Sequence, residues 1–353
     1  MNEAFKTSKY ELFDKLKHSY FVGPFPEKFP FSTLDEQSGI HMSHTNFITK
    51  PQFKSSRHKY LPTYLNSFGK KQTVFLWQFG PFTDNKGVAS LTKSLKQLNQ
   101  LVPKLDIIMC ANDIHSRNIF NDLGLSTILC NHNAKVKTDI FTIDKNIQAM
   151  WDSVYIASIT PYKRHFLSYD LNNICYIAGM LRIDAKRRNR ADIEELYKEF
   201  CGKIKNNDST LFIKRLYPKQ VSLINNMSKV GLCLSKKEGA MFASIEYLLC
   251  GLPIVSTRSA GGRDEFFTDK NCIFAEDNAE SVKQCVDEWL NNYPTIEQRQ
   301  QIREDAIALQ EEHIGRLKCK IKEVIKEQGG SVDIDKILNS REINNGQNTK
   351  TKM

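Results

Sequence analysis

Two carboxylates and two cations carry the chemistry this sequence advertises. Glu238 and Glu246 stand with seven residues between them in EGAMFASIEYLLCGLPIVSTRSAGGRD, residues 238–264. Glu246 falls in an otherwise apolar run, where an acid is costly to bury unless something pairs with it. One turn into a helix, a carboxylate can accept hydrogen bonds from a diol such as a ribose. Glu238, on the loop before it, can hold a second hydroxylated ring. Lys163 and Arg164 follow Pro161 in SITPYKRHF, residues 158–166, and two cations at a strand end can clamp a diphosphate. Plainer readings stand beside these. Glu246 also reads as a helix-surface charge, Glu238 as a cap, the basic pair as a solvated turn, His165 as structural, and Asp264 as a cap on the helix that follows it.

These groups need elements that bring them together. The run VGLCLS reads as a buried strand, KKEGAM as a short loop, and the next segment as a helix from Phe242 that stops by Gly251, a residue suited to a helix end. LPIVST is then another strand, followed by the paired glycines of SAGGRDEF. In an open parallel sheet, ligands bind outside the carboxyl ends of the strands. A helix N-terminus there presents unpaired N–H groups and partial positive charge, a natural seat for phosphate. Gly239 lets the backbone approach a ligand closely. Earlier in the chain TVFLWQFG, LDIIMCAN and LSTILCNHNA read as strands separated by helical patterns, and SVYIASI and ICYIAGML restart the rhythm near residue 150. Alternation of this kind predicts βαβ units and parallel sheets. Helices are predicted near 191–204, over 279–291 and over 295–326, the last with Ile314, Leu317, Ile321 and Val324 on one face.

The stretch SKKEGAMFASIEYLLCGLPIVSTRSAGGRDEFF resembles the donor-binding signature of retaining glycosyltransferases of the GT-B fold, family-4 or group 1 type. The paired glutamates, the following Gly-x-Pro and the later Gly-Gly match in order, and SITPYKRHF resembles the basic segment that opens the family's second domain. The firm resemblance covers roughly residues 150–290. It implies an α/β protein of two Rossmann-like domains facing each other across a cleft. It implies that Lys163 contacts the donor's phosphates, Glu238 lies near the transferred sugar and Glu246 binds the nucleotide's ribose. The amides of Gly239, Ala240, Met241 and Phe242 would face the diphosphate, with Arg164 adding charge. His132, in CNHNA, is the counterpart of a histidine near the reacting centre. Two departures stand out. Ser158 occupies the position five residues before the lysine where the family has arginine, and no glycine-rich loop is evident near the N-terminus, Gly23 beside Pro24 being a weak candidate.

On this resemblance the chain transfers a sugar from a nucleotide-sugar to a hydroxyl acceptor with retention. The acceptor would be a glycan or lipid-linked glycan, the setting polysaccharide biosynthesis, and no cofactor or metal would be needed. A nucleotide-sugar epimerase on the same fold and a binding protein that has lost catalysis are the rival readings. The expected domains are 1–148 on the acceptor side, 149–310 on the donor side, a helix at 311–328 crossing back to the first, and a mobile tail at 329–353. The chain of 353 residues is long enough for two domains. Its formal charge of +10 admits an anionic membrane or a phosphorylated substrate. The basic residues are dispersed, however, and no aromatic-basic module for nucleic acid appears. No G-x-G-x-x-G follows a strand, which argues against a nicotinamide enzyme. Nine cysteines without a C-x-x-C pair fit reduced thiols in a cytosolic protein. His41 and His44 lack further ligands for zinc, and the Asp333-x-Asp335 pair lies near the tail. Without an apolar signal core or a membrane-length apolar run, the expected location is cytoplasmic, with peripheral contact at the inner membrane face left open.

Overall fold

The computed structural model describes residues 31–35, 38–45, 65, 70–78, 80–81, 85–178, 190–205, 208–212, 216–330 and 334. Gly23, residues 182–189, and Asp333 with Asp335 lie outside them.

The first half builds a five-stranded sheet from β1 (Phe31–Asp35), β2 (Ile40–His44), β3 (Gln72–Trp77), β4 (Leu105–Ala111) and β5 (Ser126–Leu129), in that spatial order. Only β1 is antiparallel to its neighbour. Helix α1 (Asn85–Leu101) links β3 to β4, and α2 (Ile114–Asp122) links β4 to β5. Asp113 starts α2 by accepting the Ser116 N–H at 2.7 Å, a side-chain N-cap. The third predicted strand is shorter than its apolar run: it ends at Leu129, and His132–Lys135 wind into a 3₁₀ turn. Asn131 causes the change, its side chain accepting the Asn133 N–H at 2.9 Å and closing the backbone into a turn.

The second half is a six-stranded, all-parallel sheet, β11-β10-β9-β6-β7-β8. Its strands are β6 (Trp151–Ile156), β7 (Ile174–Ile177), β8 (Thr210–Phe212), β9 (Ser228–Cys233), β10 (Ile254–Thr257) and β11 (Cys272–Ala275). The crossover helices are α3 (Arg190–Ile204), α4 (Pro218–Asn226) and α5 (Phe242–Leu249), with α6 (Ala279–Asn291) after β11. Strands β7, β9 and β10 are buried along their lengths apart from Lys229, as sheets covered on both faces require. Strand order switches sides of β6, so the loops after β6 and β9 diverge and leave a crevice at their carboxyl ends.

Helix α7 (Ile296–Glu327) ties the halves together. Near its start, Ile302 and Ala306 join the core of the second half. Further along, Leu317, Ile321, Val324 and Ile325 pack with Met42, Phe75, Trp77 and Cys110 of the first sheet. The predicted apolar stripe therefore faces protein, and the boundary expected at 310–311 falls inside one continuous helix. No described helix is long and apolar enough to cross a membrane. All nine cysteines are free thiols, seven of them buried.

Candidate functional site

The candidate site forms where the carboxyl ends of β6, β9 and β10 meet the first half of the chain. After β6, Thr160 leads into a 3₁₀ turn, Pro161–Lys163. Tyr155, buried on β6, donates its hydroxyl to the Lys163 carbonyl, and the Lys236 N–H donates to the Tyr162 carbonyl at 3.0 Å. So braced, Lys163 forms an ion pair with Glu238 on the loop after β9, both side chains being mostly buried, at 12% and 14% exposure. The structure thus joins the phosphate-binding candidate to the sugar-binding candidate.

Arg164 is a correction. It was expected beside Lys163 as a second cation on a diphosphate. Its backbone instead turns left-handed, at φ 53°, sending the side chain the other way. Its Nε donates to the Leu234 carbonyl at 2.7 Å, and its Nη1 pairs with Asp277 at 2.8 Å. Arg164 therefore knits strand ends together beneath the site. Arg263, which sequence reasoning passed over, does the same: fully buried, it donates to the carbonyls of Ser235 and Thr257 and to the Ser256 hydroxyl. An arginine directly after paired glycines was the available signal. Asp264 lies inside the 3₁₀ turn Gly262–Phe266, where it accepts from Arg263 Nε at 2.9 Å instead of capping a helix.

Gly239, Ala240, Met241 and Phe242 form the loop and first turn of α5. Glu238 N–H donates to the Ala260 carbonyl at 3.0 Å, and Gly262 N–H to the Gly239 carbonyl at 2.8 Å, zipping this loop to the one after β10. Gly261, at φ +106°, is required by that contact, because a Cβ there would lie 1.9 Å from the Glu238 carbonyl oxygen. Helix α5 is locked in place by Tyr247, whose hydroxyl accepts the Ile156 N–H at 2.9 Å and whose ring lies where any side chain at Gly231 would sit. It ends as anticipated: Gly251, at φ +67°, donates to Leu248 and Leu252 donates to Tyr247, the pattern of a Schellman cap.

Glu246 is 1% exposed, which removes the reading of it as a surface charge. Its Oε1 is fully enclosed and has no hydrogen-bond partner. Burial alone pushes its carboxyl up to about 8. No group of the described chain answers the need for a partner that an acid in this apolar run creates.

From the first half, His132 reaches the same place. Its ring packs 4.9 Å from that of Phe242, and Nδ1–H donates to the Gln78 carbonyl at 3.0 Å. Burial lowers it to about 4, so the imidazole is neutral at physiological pH. His165, by contrast, is a core residue between Tyr155 and Phe200. Three further residues of the first half were not foreseen. Asn112, Asn131 and Asn133 are fully buried and cross to the second half. Asn112 Nδ2 donates to the Gly239 carbonyl at 3.1 Å, Asn131 Nδ2 to Gly262 at 2.7 Å, and Asn133 Nδ2 to Ala240 at 2.7 Å and Met241 at 3.3 Å. Polar residues after strand ends look like ordinary turn formers in sequence. Among the described residues no group of three His, Cys, Asp or Glu is placed to hold a metal ion, and His41, of the zinc candidates, is buried against Gln72 at 2.6 Å.

Two Rossmann-like sheets with a crevice at the strand ends, joined by a helix that returns to the first, define the GT-B fold of glycosyltransferases. Residues 156–308 match the family profile described as glycosyl transferases group 1. Among solved structures, the chain resembles the α,α-trehalose-phosphate synthase (UDP-forming) of Burkholderia xenovorans, in complex with glucose-6-phosphate. The TM-score is 0.55 at 12% identity, covering 82% of this chain and 74% of that one. It also resembles the Escherichia coli trehalose-6-phosphate protein bound with UDP-2-fluoro glucose, at TM-score 0.53 and 13% identity, covering 76% and 71%. HepE of Anabaena, in complex with UDP-glucose, gives TM-score 0.50 at 12% identity, covering 76% and 71%. A search of curated proteins found no match.

Proposed function

We propose that this chain is a glycosyltransferase that moves a sugar from a nucleotide-sugar to a hydroxyl acceptor with retention of anomeric configuration. The observation that carries the reading is Glu246: an enclosed carboxyl without a protein partner, one turn into a helix whose first amides lie beside the Lys163–Glu238 pair. A ribose diol supplies the donors Glu246 lacks. The diphosphate then reaches the α5 amides and Lys163, and the sugar lies against Glu238. Two proteins of the same fold were solved with UDP-glucose or a UDP-sugar analogue, which makes uridine donors the first to try.

In the reaction, the bond between the anomeric carbon and the diphosphate oxygen breaks while the acceptor hydroxyl attacks the same face. The departing phosphate takes the acceptor proton, and Lys163 and the amides of Ala240 to Phe242 stabilise its charge. That is electrostatic preorganisation, with the protein supplying position and charge. As Lys163 leaves Glu238 for the phosphate, Glu238 is freed to accept from a sugar hydroxyl. His132, neutral and adjacent to Phe242, lies on the side from which the acceptor comes. With this charge in place the reaction needs no metal, and full turnover in excess EDTA is expected. Nucleoside diphosphates and their sugars are to be screened by thermal shift, and the best binder assayed with and without glycan, lipid-linked glycan and sugar-phosphate acceptors. Nucleotide release only with an acceptor supports transfer. Epimer formation without one identifies an epimerase, and binding without turnover identifies a binding protein.

A further inference from the structure

We infer that Asn133 and Asn112, which belong to the first half of the chain, are positioning residues that aim the phosphate-binding amides of the second half. The inference rests on the nucleotide-sugar reading above. A trans peptide is planar, with its C=O and N–H pointing in opposite directions. Asn112 and the Gly262 N–H together hold the Gly239 carbonyl and Asn133 holds the Ala240 carbonyl, so the N–H groups of Ala240 and Met241 are turned away from the asparagines. No acceptor among the described residues takes either N–H. Met241 adds a second, independent observation. It is a non-glycine residue at φ 53° and ψ 93°, a conformation that persists only where its surroundings enforce it. Asn133 is bonded to the carbonyls on both sides of the Met241 Cα, and Ser244 Oγ donates to the second at 2.8 Å. Asn133 is itself held, its carbonyl accepting from Gln310 of α7 at 2.9 Å.

The consequence is that the donor seat is shaped by contact between the halves. Close packing enforces the fit: a Cβ at Gly262 would lie 2.5 Å from the Asn112 Cβ. Separating the halves removes the Asn133 bonds that hold Met241 in its strained conformation and leaves the Met241 amide unaimed, while the Gly262 N–H still holds the Gly239 carbonyl. The phosphate seat is therefore complete only while the halves touch.

The test uses the full chain and isosteric variants that remove the amide donor without opening a cavity, Asn133→Asp and Asn112→Asp, with the uncharged Asn133→Leu beside them to separate loss of the donor from repulsion between a new carboxylate and the diphosphate. The probe is whichever of UDP, GDP, ADP and TDP most raises the wild-type melting temperature, with its parent nucleoside as control. Titration calorimetry should show the diphosphate bound about tenfold or more weakly by folded Asn133→Asp, with nucleoside affinity unchanged. Adding Met241→Gly to Asn133→Asp should restore most of the loss, because glycine takes positive φ without strain. Unchanged diphosphate affinity in folded variants overturns the inference and leaves the nucleotide-sugar reading standing. Equal losses of nucleoside and diphosphate binding with no rescue assign the asparagines a merely structural role and also overturn it. If no nucleoside diphosphate binds the wild type, the reading and the inference fall together. Should Asn133→Asp not fold, Asn112→Asp carries the same comparison through the Ala240 amide.

Discussion

Lys163 and Glu238, seventy-five residues apart in the chain, form a largely buried ion pair at the carboxyl ends of β6 and β9. Each is the other's partner until a substrate arrives, so neither charge is left enclosed without compensation. On the proposed function the pair also sets a condition on turnover, since the lysine would exchange one anion for another.

Replacing Lys163 by Ala should lower turnover about a hundred- to a thousandfold, the usual loss for a preorganised charge-stabilising donor. Because Tyr155 holds the turn through the Lys163 backbone carbonyl, the melting temperature should change little by comparison. Steady-state rates and a thermal melt on the same sample check both statements. Full activity would remove the lysine from the mechanism.

On the proposed function, Glu246 would make nucleotide binding sensitive to pH. Its carboxyl is raised from 4.5 to about 8 by burial, so the folded state favours the proton. The fold carries no penalty from it below pH 4.5, loses stability as pH rises from there to 8, and levels off above, a difference on the order of 5 kcal/mol. Glu246→Gln should therefore gain on the wild type in melting temperature as pH rises from 5 to 9. The same variant should bind nucleoside diphosphate more weakly, and wild-type affinity should grow with pH up to about 8 as the carboxylate forms. A flat stability difference across that range would show that the side chain reaches solvent.

His132 and His165 act in the opposite sense. Both are lowered to about 4, so the unfolded chain takes up protons first as pH falls below 6.5, and stability drops progressively down to pH 4. For His132 this places the acid limb of the rate profile well below 6. A limb near 6.5 that disappears in His132→Gln would show that the ring is charged in the working enzyme.

On the proposed function, Ser158→Arg should leave activity intact, because it supplies the cation carried at that place by the glycosyltransferases this segment resembles. Arg164 and Arg263 are both engaged with strand-end carbonyls and do not compete for it. A folded but inactive variant would show that family geometry does not extend to this turn.

Leu317→Ala on α7 should destabilise the protein by about 2–5 kcal/mol, as for other buried leucines. The lesion lies where α7 meets the first sheet. It should therefore expose the Asn112 and Asn133 contacts to exchange before the core of the second half, which amide hydrogen exchange can resolve.

The second half was legible because its signals are local. An apolar run bounded by Ser235 and Gly251, a glycine loop and two acids at one spacing prescribe strand, turn and helix from neighbouring residues alone. β2, by contrast, passed unseen: IHMSH alternates two histidines with apolar residues, and only its place between β1 and β3 buries His41, against Gln72.

By itself the sequence determined the strand–helix alternation that carries β3 to β7, β9 and β10, the end of α5 at Gly251 and the residue types at the site. It could not decide which charged groups would face a ligand. Lys163 and Arg164 are neighbours in the chain, yet a left-handed turn sends one to Glu238 and the other beneath the sheet. Nor could it decide that Asn112 and Asn133 would grip a loop more than a hundred residues away. Local patterns follow from backbone sterics and burial of one face. Long-range hydrogen bonds depend on where two separately folded sheets meet, and only the tertiary structure fixes that.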